Sequence, residues 1–174
     1  MDGTVLPSLL AKQGESLLTE LVKRGKNHMI MVKWLKLFFA YLDRYHVKYY
    51  SLPTLGESGM LKFKELVFDK IKENVTAAIL DMVNDERDGS TVDQDLIKGS
   101  VDIFIEMGMG RLDVYRTDFE EKYLISSSAY YATKAAIWLE SDSTPNYLIK
   151  AEKAFANEKA RVAQYLNPET ESKI

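Results

Sequence analysis

The residues of this chain that could do chemistry are few and scattered. Its two histidines, His28 and His46, stand eighteen positions apart, which on one continuous helix is five turns and roughly 27 Å, too far to share a metal ion. No HExxH, Cys/His or EF-hand spacing accompanies either one, so both are read as residues of a polar side or a packed edge. Asp118, Glu120 and Glu121 form an acidic triplet, but neighbouring carboxylates on a helix point in different directions, which predicts a solvated face instead of an acid/base pair. The segment "GMGR" (108–111) is too short for a phosphate loop and follows a helical pattern where such loops need a strand; it reads as a helix stop. Cysteine is absent, which excludes disulfides, thiolate metal sites and thiol nucleophiles and fits a reducing compartment, cytoplasmic or nuclear. No residue is assigned a catalytic, metal-binding or cofactor-binding role, and the reading is a protein that is not an enzyme.

Two patterns remain. Residues 21–50 hold seven Lys/Arg (Lys23, Arg24, Lys26, Lys33, Lys36, Arg44, Lys48) against Asp43 alone, so this segment is +6 within a chain of net charge −3. Lysines beside Trp34, Phe38 and Phe39 raise the possibility of an anionic membrane or nucleic acid as partner. The acidic remainder of the chain opposes both, and neither is expected. The second pattern is "DFEEKYLISSSAYYATKAAIWLE" (118–140), which crowds Phe119, Tyr123, Tyr130, Tyr131 and Trp138 into one unbroken helical stretch. Such spacing suits the seam between packed helices, and these five residues are taken as structural core.

The elements that must position these residues are all helical. With 174 residues and 46% hydrophobic content, the chain is long enough to bury a core. Ile30, Trp34, Phe38, Leu42 and Tyr45 recur at steps of three or four, as do Phe63, Leu66, Ile71, Val75, Ile79 and Met82, with one longer step from Leu66 to Ile71 where a helix is expected to end. A third helix carries Ile97, Val101, Phe104 and Ile105, with Asp93 or Thr91 placed to cap it and Gly108 and Gly110 to stop it. The aromatic helix follows, with Leu112, Tyr115, Phe119, Tyr123, Ser126, Tyr130 and Ile137 on one stripe. A last helix begins at Pro145 with Tyr147, Ala151, Phe155, Val162 and Leu166 inward, and Pro168 closes it. Breaks are expected at 51–59, 85–90, 107–111 and 140–144, and no strand alternation is found. The fold class is therefore all-α, an up-and-down helical bundle. Lys33 and Lys36 interrupt the most apolar stretch, "MIMVKWLKLFFAYL", so no membrane span is expected, and the N-terminus lacks the apolar core of a signal peptide.

The order of motifs in "NDERDGSTVDQDLIKGSVDIFIEMGMGRLDVYRTDFEEKYLISSSAYYATKAAIWL" and "YLIKAEKAFANEKARVAQYL" resembles the N-terminal repeats of cullins, most nearly those of plant SCF-type (cullin-1-like) cullins. The shared features are the Glu86-Arg87…Gly89 turn, the "VDIF" helix, Tyr115 with Asp118-Phe119-Glu120, and the Tyr130-Tyr131 pair. Upstream, "ELVKRGKNHMIMVKWLKLFFAYLDRY" is similar to the long helix that ends the first repeat.

Cullins are scaffolds of ubiquitin ligases, in which stacked five-helix repeats hold a substrate-receptor adaptor at one end and a RING subunit at the other. The resemblance implies a bundle of cullin-repeat type, with residues 1–50 as the end of the first repeat and 51–174 as the second. It implies a non-catalytic scaffold fragment acting in ubiquitin-dependent protein catabolism, with the adaptor and F-box proteins as partners. No counterpart of the C-terminal cullin homology domain precedes Ile174, so unaided ligase assembly is not expected. In the long helix the resemblance makes Leu17, Leu18, Leu21, Val22, Gly25 and His28 adaptor-facing. Gly25 stands where the family has Trp, and loss of that anchor predicts weakened adaptor binding. The alternative reading is a helical interaction protein outside ubiquitin chemistry that uses the basic helix 21–50 for another protein or an anionic surface.

Overall fold

A computed structural model of the chain describes residues 5–174, and the first four residues of the expected 1–50 segment lie outside it. Helices and short helical turns account for every regular element among the described residues, with no strand. A short α1 (Val5–Leu10) leads into the 25-residue α2 (Gly14–Phe38), and α3 (Ala40–Leu42) prolongs it through a π-helical turn at Asp43–Val47. Next come α4 (Leu55–Phe63), α5 (Asp69–Arg87), α6 (Gln94–Met107), α7 (Asp113–Tyr115), α8 (Glu121–Ser141) and α9 (Thr144–Tyr165). A 3₁₀ turn, Pro168–Lys173, closes the chain.

Two expected breaks are corrected. The longer step from Leu66 to Ile71 is not a helix end. It coincides with a π-helical turn at Lys64–Phe68 that joins α4 to α5 without interruption. A five-residue step keeps the apolar face aligned across a π turn, as a four-residue step does along an α-helix. The break expected over 51–59 ends at Thr54, because a capping box starts α4 there: the Thr54 hydroxyl accepts from the Glu57 amide and the Glu57 carboxylate accepts from the Thr54 amide. The T-x-x-E spacing is the sequence signal for it. Asp93 caps α6 by accepting from the Leu96 amide. Gly89, at φ +96°, permits the reversal after α5 in which the Ser90 amide returns to the Asp85 carbonyl.

The core lies where the first half of α2 packs on α4, α5 and α6, and where α5 and α6 meet α8 and α9. Close helix crossing depends on small residues. A β-carbon at Gly99 would lie 3.3 Å from Val22 Cγ1, and one at Gly59 would lie 2.7 Å from Val32 Cγ2. A chain of rings then runs through the interior from Phe68 to Phe104 (5.0 Å), Phe119 (5.5 Å) and Tyr123 (6.0 Å), tying the Lys64–Phe68 turn, α6 and the start of α8 together.

Beyond Val32 the long helix keeps only one edge on α4, where Lys36 lies over Gly56 and Asp43 accepts from the Leu55 amide. Ile30, Trp34, Phe38, Leu42 and Tyr45, expected to form a buried stripe, are all exposed, with Phe38 84% accessible. The periodicity is helical as read, but no element among the described residues lies across that face.

Candidate functional site

The six residues expected to face an adaptor are turned inward. Leu17, Leu18 and Leu21 are fully buried among the α5 and α6 side chains, and Val22 is half-buried against Gly99. Gly25 is buried, and a β-carbon there would come within 3.2 Å of Ile103 Cδ1. His28 donates from Nε2 to the Gly59 carbonyl at 2.9 Å and stacks on Phe63 at 4.7 Å. The burial is geometric in origin: α2 offers one apolar face along residues 17–28, which packs within the chain, and Gly25 lies at a close crossing with Ile103.

The uncovered part of the same helix is the arm formed by residues 30–50. Trp34 (62% exposed), Phe38, Tyr41 (74%) and Tyr45 make a continuous apolar and aromatic ridge, in which Tyr41 and Tyr45 pack ring to ring at 4.6 Å. Lys33, Lys36, Arg44 and Lys48 flank it. A ridge of this size exceeds the single exposed apolar residues normal on a monomer surface and has the composition of an interface core.

A second constellation lies inside the body. Glu158 of α9, 3% exposed, accepts two hydrogen bonds from Arg87 at the end of α5: from Nε at 3.0 Å and from Nη2 at 2.9 Å. It also accepts from Arg161 Nη1 (2.6 Å), Tyr123 (2.8 Å) and Tyr131 (2.6 Å). Tyr165 donates to Glu86 at 2.9 Å beside it. Burial opposes the charge on Glu158, but the bonds from Arg87 and Tyr131 and the Arg87 charge outweigh it and hold the carboxyl at about 2. Burial next to Glu158 pushes the hydroxyls of Tyr123 and Tyr131 well above the ordinary phenol range. The Ser127 hydroxyl beside the pair accepts from Arg87 Nη2 and donates to the Tyr123 carbonyl, and the Glu158 acceptors are occupied by fixed donors. The cluster is a clasp joining α5, α8 and α9.

The acidic triplet is also corrected. Asp118 pairs with Lys72 at 2.8 Å. Glu120, 2% exposed, accepts from Thr170 and Lys173 at 2.6 Å each and so pins the closing 3₁₀ turn to the start of α8. Only Glu121 lies on the solvated side. Of the five aromatic residues taken as core, Phe119 and Tyr123 are fully buried, whereas Tyr130, Tyr131 and Trp138 are part-exposed. The outer halves of α8 and α9 enclose between them a groove of about 390 Å³ lined by Leu124, Ala135, Trp138, Tyr147 and Phe155. His46 is exposed and stacks on Tyr50 at 4.6 Å. No group of three metal-ligating side chains occurs among the described residues, and no described helix is long and apolar enough to cross a membrane.

The Glu86-Arg87…Gly89 turn, the Tyr130-Tyr131 pair and the Glu158…Arg161…Tyr165 spacing of the last helix meet in or beside this clasp. They are distant in sequence and shared by the resemblance as a set. The profile described as the cullin alpha solenoid domain matches residues 2–174. The chain belongs to the cullin family. It is 43% identical over 173 residues to cullin-like protein 2 of Arabidopsis thaliana, covering 98% of this chain and 46% of that protein. It is 45% identical to Cullin-1 of Oryza sativa subsp. japonica and 42% identical to Cullin-2 of Arabidopsis thaliana, in each case over 98% of this chain and 23% of the relative. The cullin chain thus spans less than half the length of these relatives. Within its cullin solenoid, the sequence names Glu86 through its turn motif, whereas it gives Glu158 and Arg161 no buried role. Isolated charges on helices read as solvent-facing unless their partners are known, and only their place in the cullin motif distinguished them.

Proposed function

We propose that this chain acts as a non-catalytic cullin-type scaffold piece of the ubiquitin-ligase system, of SCF type, and that its partner-binding surface is the arm formed by residues 30–50. Residues 1–50 then represent the end of a first cullin repeat and 51–174 a second. Cytoplasm and nucleus are the compartments that fit this role. The observation that carries the reading is the exposed ridge of Trp34, Phe38, Tyr41 and Tyr45 on a helix whose first half is locked in the core. A rigidly held helix presenting large aromatic side chains suffers little ordering cost on binding. Flanking lysines and arginine favour an acidic partner surface and steer its approach. The buried clasp supplies stiffness, the property a spacer needs.

The test is calorimetric titration of a purified SCF-type adaptor into the whole chain and into a Trp34→Ala/Phe38→Ala variant. Both side chains are exposed, so the variant keeps the parent's thermal stability while its affinity falls about tenfold or more. Equal affinity for both proteins places adaptor binding elsewhere. Binding of the parent to anionic vesicles but not to adaptor favours the reading outside ubiquitin chemistry.

A further inference from the structure

A pocket of about 300 Å³ opens between the outer parts of α8 and α9, beside the turn that follows α5. Its lining holds five cations, Arg87, Lys134, Lys150, Lys153 and Arg161, and no carboxylate, although the chain as a whole is acidic. We propose that this pocket is a binding site for a small phosphate-bearing polyanion.

Four carboxylates, Glu86 among them, pair with the lining cations without entering the lining themselves. Asp88 holds Lys134 at 2.9 Å, Asp142 holds Lys150 at 2.6 Å, and Glu158 holds both arginines. Lys153 enters no ion pair among the described residues and is exposed. Arg161 is only 7% exposed, and its Nε makes no hydrogen bond, the nearest carboxylate oxygen being that of Glu86 at 3.5 Å. That N–H has no accessible surface and faces Glu86, so the uncompensated charge of the pocket rests on Lys153.

The cations are also held in place. Arg87 lies over the rings of Tyr130 and Tyr131 at 5.2 and 5.5 Å, and Lys134 lies over Tyr130 at 5.2 Å. Arg87, whose nitrogens are bonded to Glu158, Asn84 and Ser127, supplies fixed positive charge, and Lys134, Lys150 and Lys153 supply the ammonium donors for phosphate oxygens. The volume is at the lower end of that for small-molecule sites, and Trp138 closes one wall. The site is independent of the arm, which contributes none of its lining.

The test uses pyrophosphate as the probe and the whole chain as the receptor, followed by backbone amide NMR at about 0.15 M salt, where the screening length is about 8 Å. The expected result is saturable shifts over residues 130–134 and 150–161, with half-saturation below about 5 mM. Lys153→Gln, which breaks no ion pair and leaves the fold intact, weakens binding about fivefold or more, whereas Lys23→Gln in α2 leaves it unchanged. Shifts that do not saturate, that spread equally over residues 21–50, or that survive unchanged in Lys153→Gln overturn the proposal. Citrate binding as tightly as pyrophosphate overturns the assignment to phosphate.

Discussion

Arg87 and Glu158 are 71 positions apart in the chain and meet through two parallel hydrogen bonds of 3.0 and 2.9 Å, with side chains 1% and 3% exposed. Removing one partner of such a pair leaves a buried charge without compensation. Arg87→Met should therefore lower stability by about 3 to 5 kcal/mol, read as a fall in the urea midpoint at unchanged slope. Adding Glu158→Leu should restore part of the loss, because Arg161 keeps Glu86 as a neighbour. A double variant no more stable than the single one shows that the two residues are not coupled.

The same pair sets an acid dependence. The Glu158 carboxyl is held at about 2 in the folded chain, against an ordinary value of 4.5 when unfolded. Because the folded value is the lower, the unfolded chain binds more protons between those limits. The stabilisation is complete above about pH 4.5 and disappears as pH falls toward 2, amounting to about 3 kcal/mol from this group. Thermal melts from pH 6 to pH 2.5 should fall steeply for the parent and less steeply for Glu158→Gln. Parallel profiles would assign acid sensitivity to other carboxylates.

At position 25 the close crossing with Ile103 governs the outcome. Gly25→Ala repairs helix propensity by about 1 kcal/mol and meets only the flexible end of Ile103, so it should remain within about 1 kcal/mol of the parent. Gly25→Trp inserts an indole into a filled core and should cost about 1 to 3 kcal/mol. A Gly25→Trp chain as stable as the parent, measured by chemical denaturation, shows that the crossing opens readily.

Truncations along α8 should divide by position. Phe119→Ala and Tyr123→Ala remove fully buried rings and should each cost about 3 to 5 kcal/mol. Trp138→Ala removes a part-exposed groove wall and should cost less than about 2 kcal/mol. Equal losses at Tyr123 and Trp138 in thermal melts would mean that a further element covers the groove.

Hydrogen exchange should split α2 in two. Amides of residues 18–32, anchored by Leu17, Leu18, Leu21 and Val32 in the core, should be as protected as those of α5. Those of 36–50, on the arm, should exchange at least about tenfold faster. Uniform protection to Tyr50 indicates that the arm is covered in solution.

The sequence by itself determined the helices, the turn at Gly89, the inward stripes of α5 and α6 and, through motif order, membership of the cullin family, while leaving Asp93 and Thr91 as alternative caps of α6. These are legible because they rest on spacing within one element or on a collinear set of residues. Tertiary structure decided which apolar faces have neighbours. Trp34 and Phe38 repeat the four-residue spacing of Leu17 and Leu21, yet they lie on the side of the helix turned away from α4. It also decided which charges are buried: Glu120 and Glu158 look like any exposed helical acid until Lys173 and Arg87 are brought against them from 53 and 71 positions away. Periodicity fixes the direction in which a side chain points, whereas its environment depends on what the rest of the chain places there.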